Sequence, residues 1–171
     1  MSTEHGPKGG DEINQLTGGR NYGWPVITYG KDYNNEKVGV GTQYSGMEPP
    51  LYYWDPSVAP SSLLIYNGEN YPNWKSSWFV TTLREKTLLR LTKSGNKFVE
   101  ERLYQNEFGR IRKIETSPTG DLFVLTDGGQ GSLIKILGKS ISFGSSPNSD
   151  FSAIINVEID GKLTLTINSK G

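Results

Sequence analysis

Beyond Leu51 the chain is written in short apolar runs cut apart by turn residues, and this pattern limits it to a few folds. Ser62–Tyr66, Trp78–Leu83, Thr87–Leu91, Phe98–Leu103, Arg110–Thr116, Leu122–Thr126 and Leu133–Leu137 read as strands, and Leu51–Trp54 as a short strand or loop edge. Gly68, Pro72, Lys93-Ser94-Gly95-Asn96, Gly109 and Ser117-Pro118-Thr119-Gly120 punctuate them. No window sustains a 3.6-residue apolar stripe, which excludes a helical bundle. The strand runs also repeat. Trp78-Phe79-Val80-Thr81 and Leu122-Phe123-Val124-Leu125 stand 44 residues apart, and each is followed by a polar turn and a second apolar run, Leu88–Leu91 or Leu133–Ile136. A repeat of about 45 residues with three or four strands per unit describes propeller blades. Two such units cannot close a ring of about 4 to 8 blades.

The composition agrees with an all-β chain rich in turns. Glycine numbers 21 and proline 9, aromatics are 11% and apolar residues only 34% of 171 residues. Lys plus Arg and Asp plus Glu both number 18, so global charge offers no hold on nucleic acid. There is no cysteine, which excludes disulfides, thiolate metal sites and a cysteine nucleophile. The single histidine, His5, excludes any mechanism needing two histidines within these residues. No apolar run is long enough for a membrane span, and the polar first residues show no signal-peptide core.

Residues 1–50 carry little apolar periodicity and many turn signals, among them Gly18-Gly19, Asn21–Pro25 and Asn34-Asn35. A stretch of this kind is expected to be a functional loop or part of a larger unit. Residues 138–150 read as a linker rich in Gly, Ser, Asn and Pro. After it, Ala153–Ile159 and Lys162–Ile167 flank Asp160-Gly161 and predict a β-hairpin, so the tail 151–171 is a terminal strand pair or the start of a further module.

Three clusters can carry chemistry. In Glu4-His5-Gly6-Pro7-Lys8-Gly9-Gly10-Asp11-Glu12-Ile13-Asn14, glycine and proline force a tight loop with exposed carbonyls beside carboxylates. Such hard oxygens suit calcium, and the ordinary alternative is a solvated acidic turn. In Gly109-Arg110-Ile111-Arg112, a strand places both guanidinium groups on one face, where an anion between them relieves their repulsion. Arg84 joins them if the blades are neighbours, and the alternative is an exposed strand face. In Tyr52–Ser61, aromatics beside Asp55 could stack on sugar rings, with strand packing as the commoner outcome.

Read in order, these residues resemble a known family. Glu4–Pro7 through Asp11–Asn14, Asn21–Pro25, Trp54–Ser62, Thr82-Leu83-Arg84, Gly109–Arg112 and Ser117–Asp127 are similar to the soluble quinoprotein glucose and aldose sugar dehydrogenases, the glucose/sorbosone dehydrogenases. The resemblance runs from about residue 3 to 137 and leaves the tail out. It implies the C-terminal blades of a six-bladed β-propeller that uses pyrroloquinoline quinone and calcium to oxidise aldoses at the anomeric carbon to lactones. By resemblance, the carbonyls of Gly6 and Pro7 hold the cofactor's calcium, and Glu12 and Tyr22 belong to a second calcium site. His5, Ser57, Arg84, Arg110 and Arg112 contact the quinone cofactor, a tricarboxylate. From the aromatic run read above, Tyr53 and Trp54 are the candidates to face the sugar. Ser57 stands where the family often has threonine, and Arg84 where it usually has lysine.

The same resemblance sets further expectations. The family's catalytic histidine and an arginine–asparagine pair belong to the N-terminal half of the propeller, and His5 does not match that base. The chain is therefore expected to be the C-terminal part of such an enzyme, inactive alone and open at its strand edges. It is expected to be marginally stable or self-associating, and to regain activity with an N-terminal half. A periplasmic or secreted location follows from the family. Two rivals remain: a non-catalytic propeller module that binds a ligand or protein, and an interaction domain assembling through the C-terminal hairpin.

Overall fold

The computed structural model describes residues 1–129 and 131–136 and the strands at 151–157 and 163–169. They form three antiparallel sheets that follow one another along the chain. The first contains β1 (Ser2–Glu4), β2 (Asp11–Asn14) and β3 (Tyr52–Trp54). The second contains β4 (Pro60–Ile65), β5 (Trp78–Thr82), β6 (Leu88–Ser94) and β7 (Lys97–Leu103). The third begins with β8 (Arg110–Thr116), β9 (Leu122–Asp127) and β10 (Leu133–Ile136). It continues with β11 (Phe151–Val157) and β12 (Leu163–Ser169), in the order β12-β11-β10-β9-β8. This is part of a β-propeller, and the repeat seen in the sequence is its blade: Trp78–Thr82 and Leu122–Asp127 are the second strands of successive sheets.

The middle sheet explains the near-continuous apolar runs. Successive side chains of a strand point to opposite faces, and both faces of this sheet are covered. Phe79 and Leu88 pack with Ile111, Ile114, Leu122, Val124, Ile134 and Ile136 of the third sheet. Their neighbours Val80, Leu89 and Leu91 pack with Ile13 and Trp54 of the first and with Val58 of the loop that follows it. Strands buried on both sides lose the apolar–polar alternation that one-sided strands keep. Burying each such side chain contributes roughly 1.5–3 kcal/mol.

The β8–β9 pairing shifts register between Ile111 and Lys113. A bulge places an extra residue in one strand, and it lets Ile111 and Ile114, three positions apart, both face the core. Ser61 holds this strand to the middle sheet. Its hydroxyl donates to the Ile111 carbonyl at 2.6 Å and accepts from the Thr81 hydroxyl at 2.8 Å.

The first 50 residues hold more order than their composition implies. Ser2–Glu4 and Asp11–Asn14 pair as strands, with Glu4 opposite Glu12, and Asp11 of β2 lies opposite Trp54 of β3. Residues 15–51 then run as turns tied by isolated bridges, among them Lys8 with Lys31 and Ile27 with Gly41. The sequence-based hairpin is present as paired strands from Val157 with Leu163 to Phe151 with Ser169. Its Asp160-Gly161 turn and the 138–150 linker lie outside the described residues. β11 also pairs with β10, so the hairpin extends the third sheet. Among the described residues, no helix is long and apolar enough to cross a membrane.

Candidate functional site

Two loops meet at the end of the first and second sheets. One, residues 5–10, joins β1 to β2; the other, residues 55–59, joins β3 to β4. Glycine makes the first loop what it is. Gly9 and Gly10 have φ of 83° and 73°, in the left-handed region that other residues rarely adopt. A Cβ on Gly6 would overlap the Gly9 carbonyl, and one on Gly9 would overlap the Asp55 carboxylate. The loop is held by bonds from Gly10 N–H to the Trp54 carbonyl, 2.8 Å, and from Lys8 N–H to the Lys31 carbonyl, 2.9 Å. Among the described residues, the Gly6 and Pro7 carbonyls accept no backbone hydrogen bond outside the strand ladders.

Asp11 joins the loops. Its Oδ1 accepts from Gly6 N–H at 2.8 Å. Its Oδ2 accepts from the Ser57 hydroxyl at 2.6 Å, Val58 N–H at 2.8 Å and Ala59 N–H at 2.7 Å. The sequence reading placed Asp11 in an acidic cluster and gave it no role of its own; apart from Gly6 N–H, its donors come from the distant Ser57–Ala59 loop. The Ser57 hydroxyl proton is thereby committed to Asp11, and its oxygen also accepts from Ala59 N–H at 3.3 Å, so toward any ligand the hydroxyl can only accept, through its remaining lone pair. Arg84 reaches the same loop, donating from Nη1 to the Ser57 carbonyl at 3.1 Å. The imidazole of His5 lies 2.7 Å from the Pro60 carbonyl through Nε2. A carbonyl only accepts, so Nε2 carries the proton and the ring is fixed beside the start of β4. Pro60 precedes Ser61, whose hydroxyl reaches Ile111 between the two arginines of β8. His5, Gly6, Ser57, Arg84 and the start of β8 are thus linked by direct contacts.

Arg110 and Arg112 share an anion within the chain. Asp127 of β9 lies opposite Arg110, 3.5 Å from its Nη2, and also pairs with Arg112. The Arg112 hydrogen bond, with the two positive charges behind it, holds the Asp127 carboxyl below its ordinary range. The expectation that the pair needs a bound anion to relieve its repulsion is corrected: Asp127 supplies it. Both guanidinium groups stay half exposed. Arg84 donates to the Ser57 carbonyl.

A second oxygen-rich group lies on the other face of β1 and β2. Glu4 and Glu12 sit directly across the ladder, where like charges repel. Asn14 Nδ2 donates to Glu4 Oε1 at 3.1 Å and to Glu12 Oε1 at 2.8 Å, and its buried Oδ1 has no partner. Burial raises the Glu12 carboxyl above its ordinary range; the Asn14 amide opposes the rise and Glu4 adds to it. The hydroxyl of Tyr22, paired with Glu12 in the sequence reading, accepts from Thr17 N–H and donates to the Gln15 carbonyl. Among the described residues no three His, Cys, Asp or Glu side chains cluster as a metal site, so a metal beside Glu4 and Glu12 would draw on carbonyl or amide oxygens as well.

Tyr53 and Trp54 separate. Tyr53 is 45% exposed and stacks on Tyr29 at 3.7 Å between ring centroids, leaving one aromatic face open. Trp54 is only 4% exposed, and its indole N–H donates to Glu100 at 2.7 Å. Its assignment to a sugar surface is corrected: alternation along β3 turns it into the core beside Ile13 and Val80.

Comparison with known proteins decides the family. A family profile described as Glucose / Sorbosone dehydrogenase matches residues 1–135. The chain belongs to the glucose/sorbosone dehydrogenase family. It is similar to aldose sugar dehydrogenase YliI of Escherichia coli strain K12, 40% identical over 136 residues that cover 78% of this chain and 37% of the relative. Quinoprotein glucose dehydrogenase B of Acinetobacter calcoaceticus is 26% identical over 184 residues, covering 74% of this chain and 38% of the relative. A crystal structure of a glucose dehydrogenase matches with a TM-score of 0.76 and 43% identity, covering 81% of this chain and 40% of that one. This glucose/sorbosone dehydrogenase chain therefore spans about two fifths of the length of the relatives it matches.

Proposed function

We propose that this chain carries the calcium- and cofactor-holding part of a dehydrogenase that oxidises aldoses at the anomeric carbon to lactones, with pyrroloquinoline quinone as cofactor. The observation that carries the reading is the glycine-locked loop with two carbonyls free of backbone hydrogen bonds outside the strand ladders, tied through Asp11 to the loop that bears Ser57. Family membership and the name of the quinoprotein relative support it.

The residues present fit the groups. Gly6 and Pro7 offer neutral carbonyl oxygens of the kind calcium takes. Glu4, Glu12 and the partnerless Asn14 oxygen offer a second hard-oxygen group on the opposite face. When bound, the quinone supplies a hydride acceptor for the anomeric carbon. Arg110 and Arg112 bind its carboxylates, sharing their charge with Asp127, and Arg84 adds a third positive charge at the Ser57 loop. Ser57 orients the cofactor by accepting rather than donating. His5, fixed on the Pro60 carbonyl, packs as a flat wall and is not poised to take the sugar's proton. Tyr53 alone of the two proposed aromatics offers a sugar-facing surface.

With the base and its arginine–asparagine partners assigned to the other half of the enzyme, the chain is expected to show no turnover with aldose, quinone, calcium and a redox dye. Adding the N-terminal half of a family enzyme should restore it. Turnover by the chain alone would place the base within these residues and overturn the division of labour. The proposed location is periplasmic or secreted, as for the family.

A further inference from the structure

We propose that Asp11 is the counter-charge and positioning residue for the calcium ion at Gly6 and Pro7, and that through it calcium sets the geometry of the Ser57–Ala59 loop. This rests on the reading that these two carbonyls hold calcium. Asp11 is fully buried, and all four of its donors are neutral: Gly6 N–H, the Ser57 hydroxyl, Val58 N–H and Ala59 N–H. Among the described residues it forms no ion pair. The nearby basic groups are engaged elsewhere: Lys8 donates to Asn35, Arg84 to the Ser57 carbonyl and His5 to the Pro60 carbonyl. A buried carboxylate with only neutral donors is costly unless a positive charge sits close by. The donor to Oδ1 is the amide of Gly6, the residue whose own carbonyl is assigned to the cation, so a cation there meets a buried carboxylate that is hydrogen-bonded but paired with no positive charge.

The same carboxylate grips Ser57, Val58 and Ala59, and that loop in turn holds Arg84. Arg84 N–H bonds to the Val58 carbonyl at 3.2 Å, and its guanidinium bonds to the Ser57 carbonyl at 3.1 Å. Calcium binding is therefore transmitted to two cofactor contacts, Ser57 and Arg84, that do not touch the ion.

The test uses the full chain, stripped of metal with a chelator and titrated with calcium chloride by calorimetry, with no cofactor present. Asp11→Asn keeps the size and removes the charge, but its amide NH2 replaces one accepting oxygen and must face donors; it should weaken calcium binding by about tenfold or more. In the unaltered protein, calcium should also slow hydrogen exchange at the Val58 and Ala59 amides, a readout that survives even if the variant fails to fold. Equal calcium affinity in Asp11→Asn, or exchange at Val58 and Ala59 that ignores calcium, overturns the proposal alone. Absence of calcium binding by the unaltered chain overturns the Gly6–Pro7 reading and this proposal together.

Discussion

At Asp127 a single carboxylate answers two arginines, and a ligand carboxylate must share them with it. Asp127→Asn should leave more positive potential at the end of β8, so pyrroloquinoline quinone should bind a few-fold more tightly and with a steeper salt dependence. Fluorescence titration at two salt concentrations reads both. Glu12 gives a pH prediction of definite sign. Its carboxyl is raised in the fold, so the folded chain keeps that proton to higher pH than the unfolded chain. The contribution is most favourable below the ordinary carboxylate range, about 4.3, and is lost as pH rises through the raised value. In chelator, Glu12→Gln should therefore raise Tm near pH 7 and change it little near pH 4. The residue scale is also where sequence reading was weakest. The arginine pair was visible in Arg110-Ile111-Arg112, but its partner lies on another strand. Trp54 read as a surface aromatic because a run of three aromatics does not say which of them faces in.

The strands of the second and third sheets were legible because their residues obey simple patterns. Trp78–Thr82 and Leu88–Leu91 are apolar on both faces, and β7 alternates as an outer strand should. β1 and β2 were not legible: Ser2-Thr3-Glu4 and Asp11-Glu12-Ile13-Asn14 contain one large apolar residue between them, and their partners, not their composition, make them strands. The bulge in β8 was equally hidden, since Ile111 and Ile114 three apart fit neither strand alternation nor a run long enough to be a helix. Packing at this scale predicts a sharp contrast. Leu89→Ala, at the first–second sheet contact, should cost about 2–5 kcal/mol in denaturant unfolding. Val99→Ala on the exposed side of β7 should stay within about 0.5 kcal/mol. Gly9→Ala should abolish calcium binding, because its φ and the Asp55 carboxylate both exclude a side chain.

Across the whole molecule, three successive sheets are packed face to face, and the outer face of the third carries half-exposed Leu125 and Leu133. The propeller form was legible from the repeat of about 45 residues, and the continuation of the last sheet by β11 was not, because a hairpin signal does not name the strand it joins. Deleting residues 138–171 removes the partner of β10 and bares its backbone groups. Sedimentation should then show larger assemblies than the full chain forms at the same concentration. The central claim is that these blades retain the calcium-dependent cofactor-holding surface of a glucose/sorbosone dehydrogenase. The most direct test is calorimetric titration of the full chain with pyrroloquinoline quinone, in calcium and in excess chelator, alongside Arg112→Ala. Binding that needs calcium and is lost in Arg112→Ala is the predicted result; no binding in calcium, or binding indifferent to both calcium and Arg112, would contradict it.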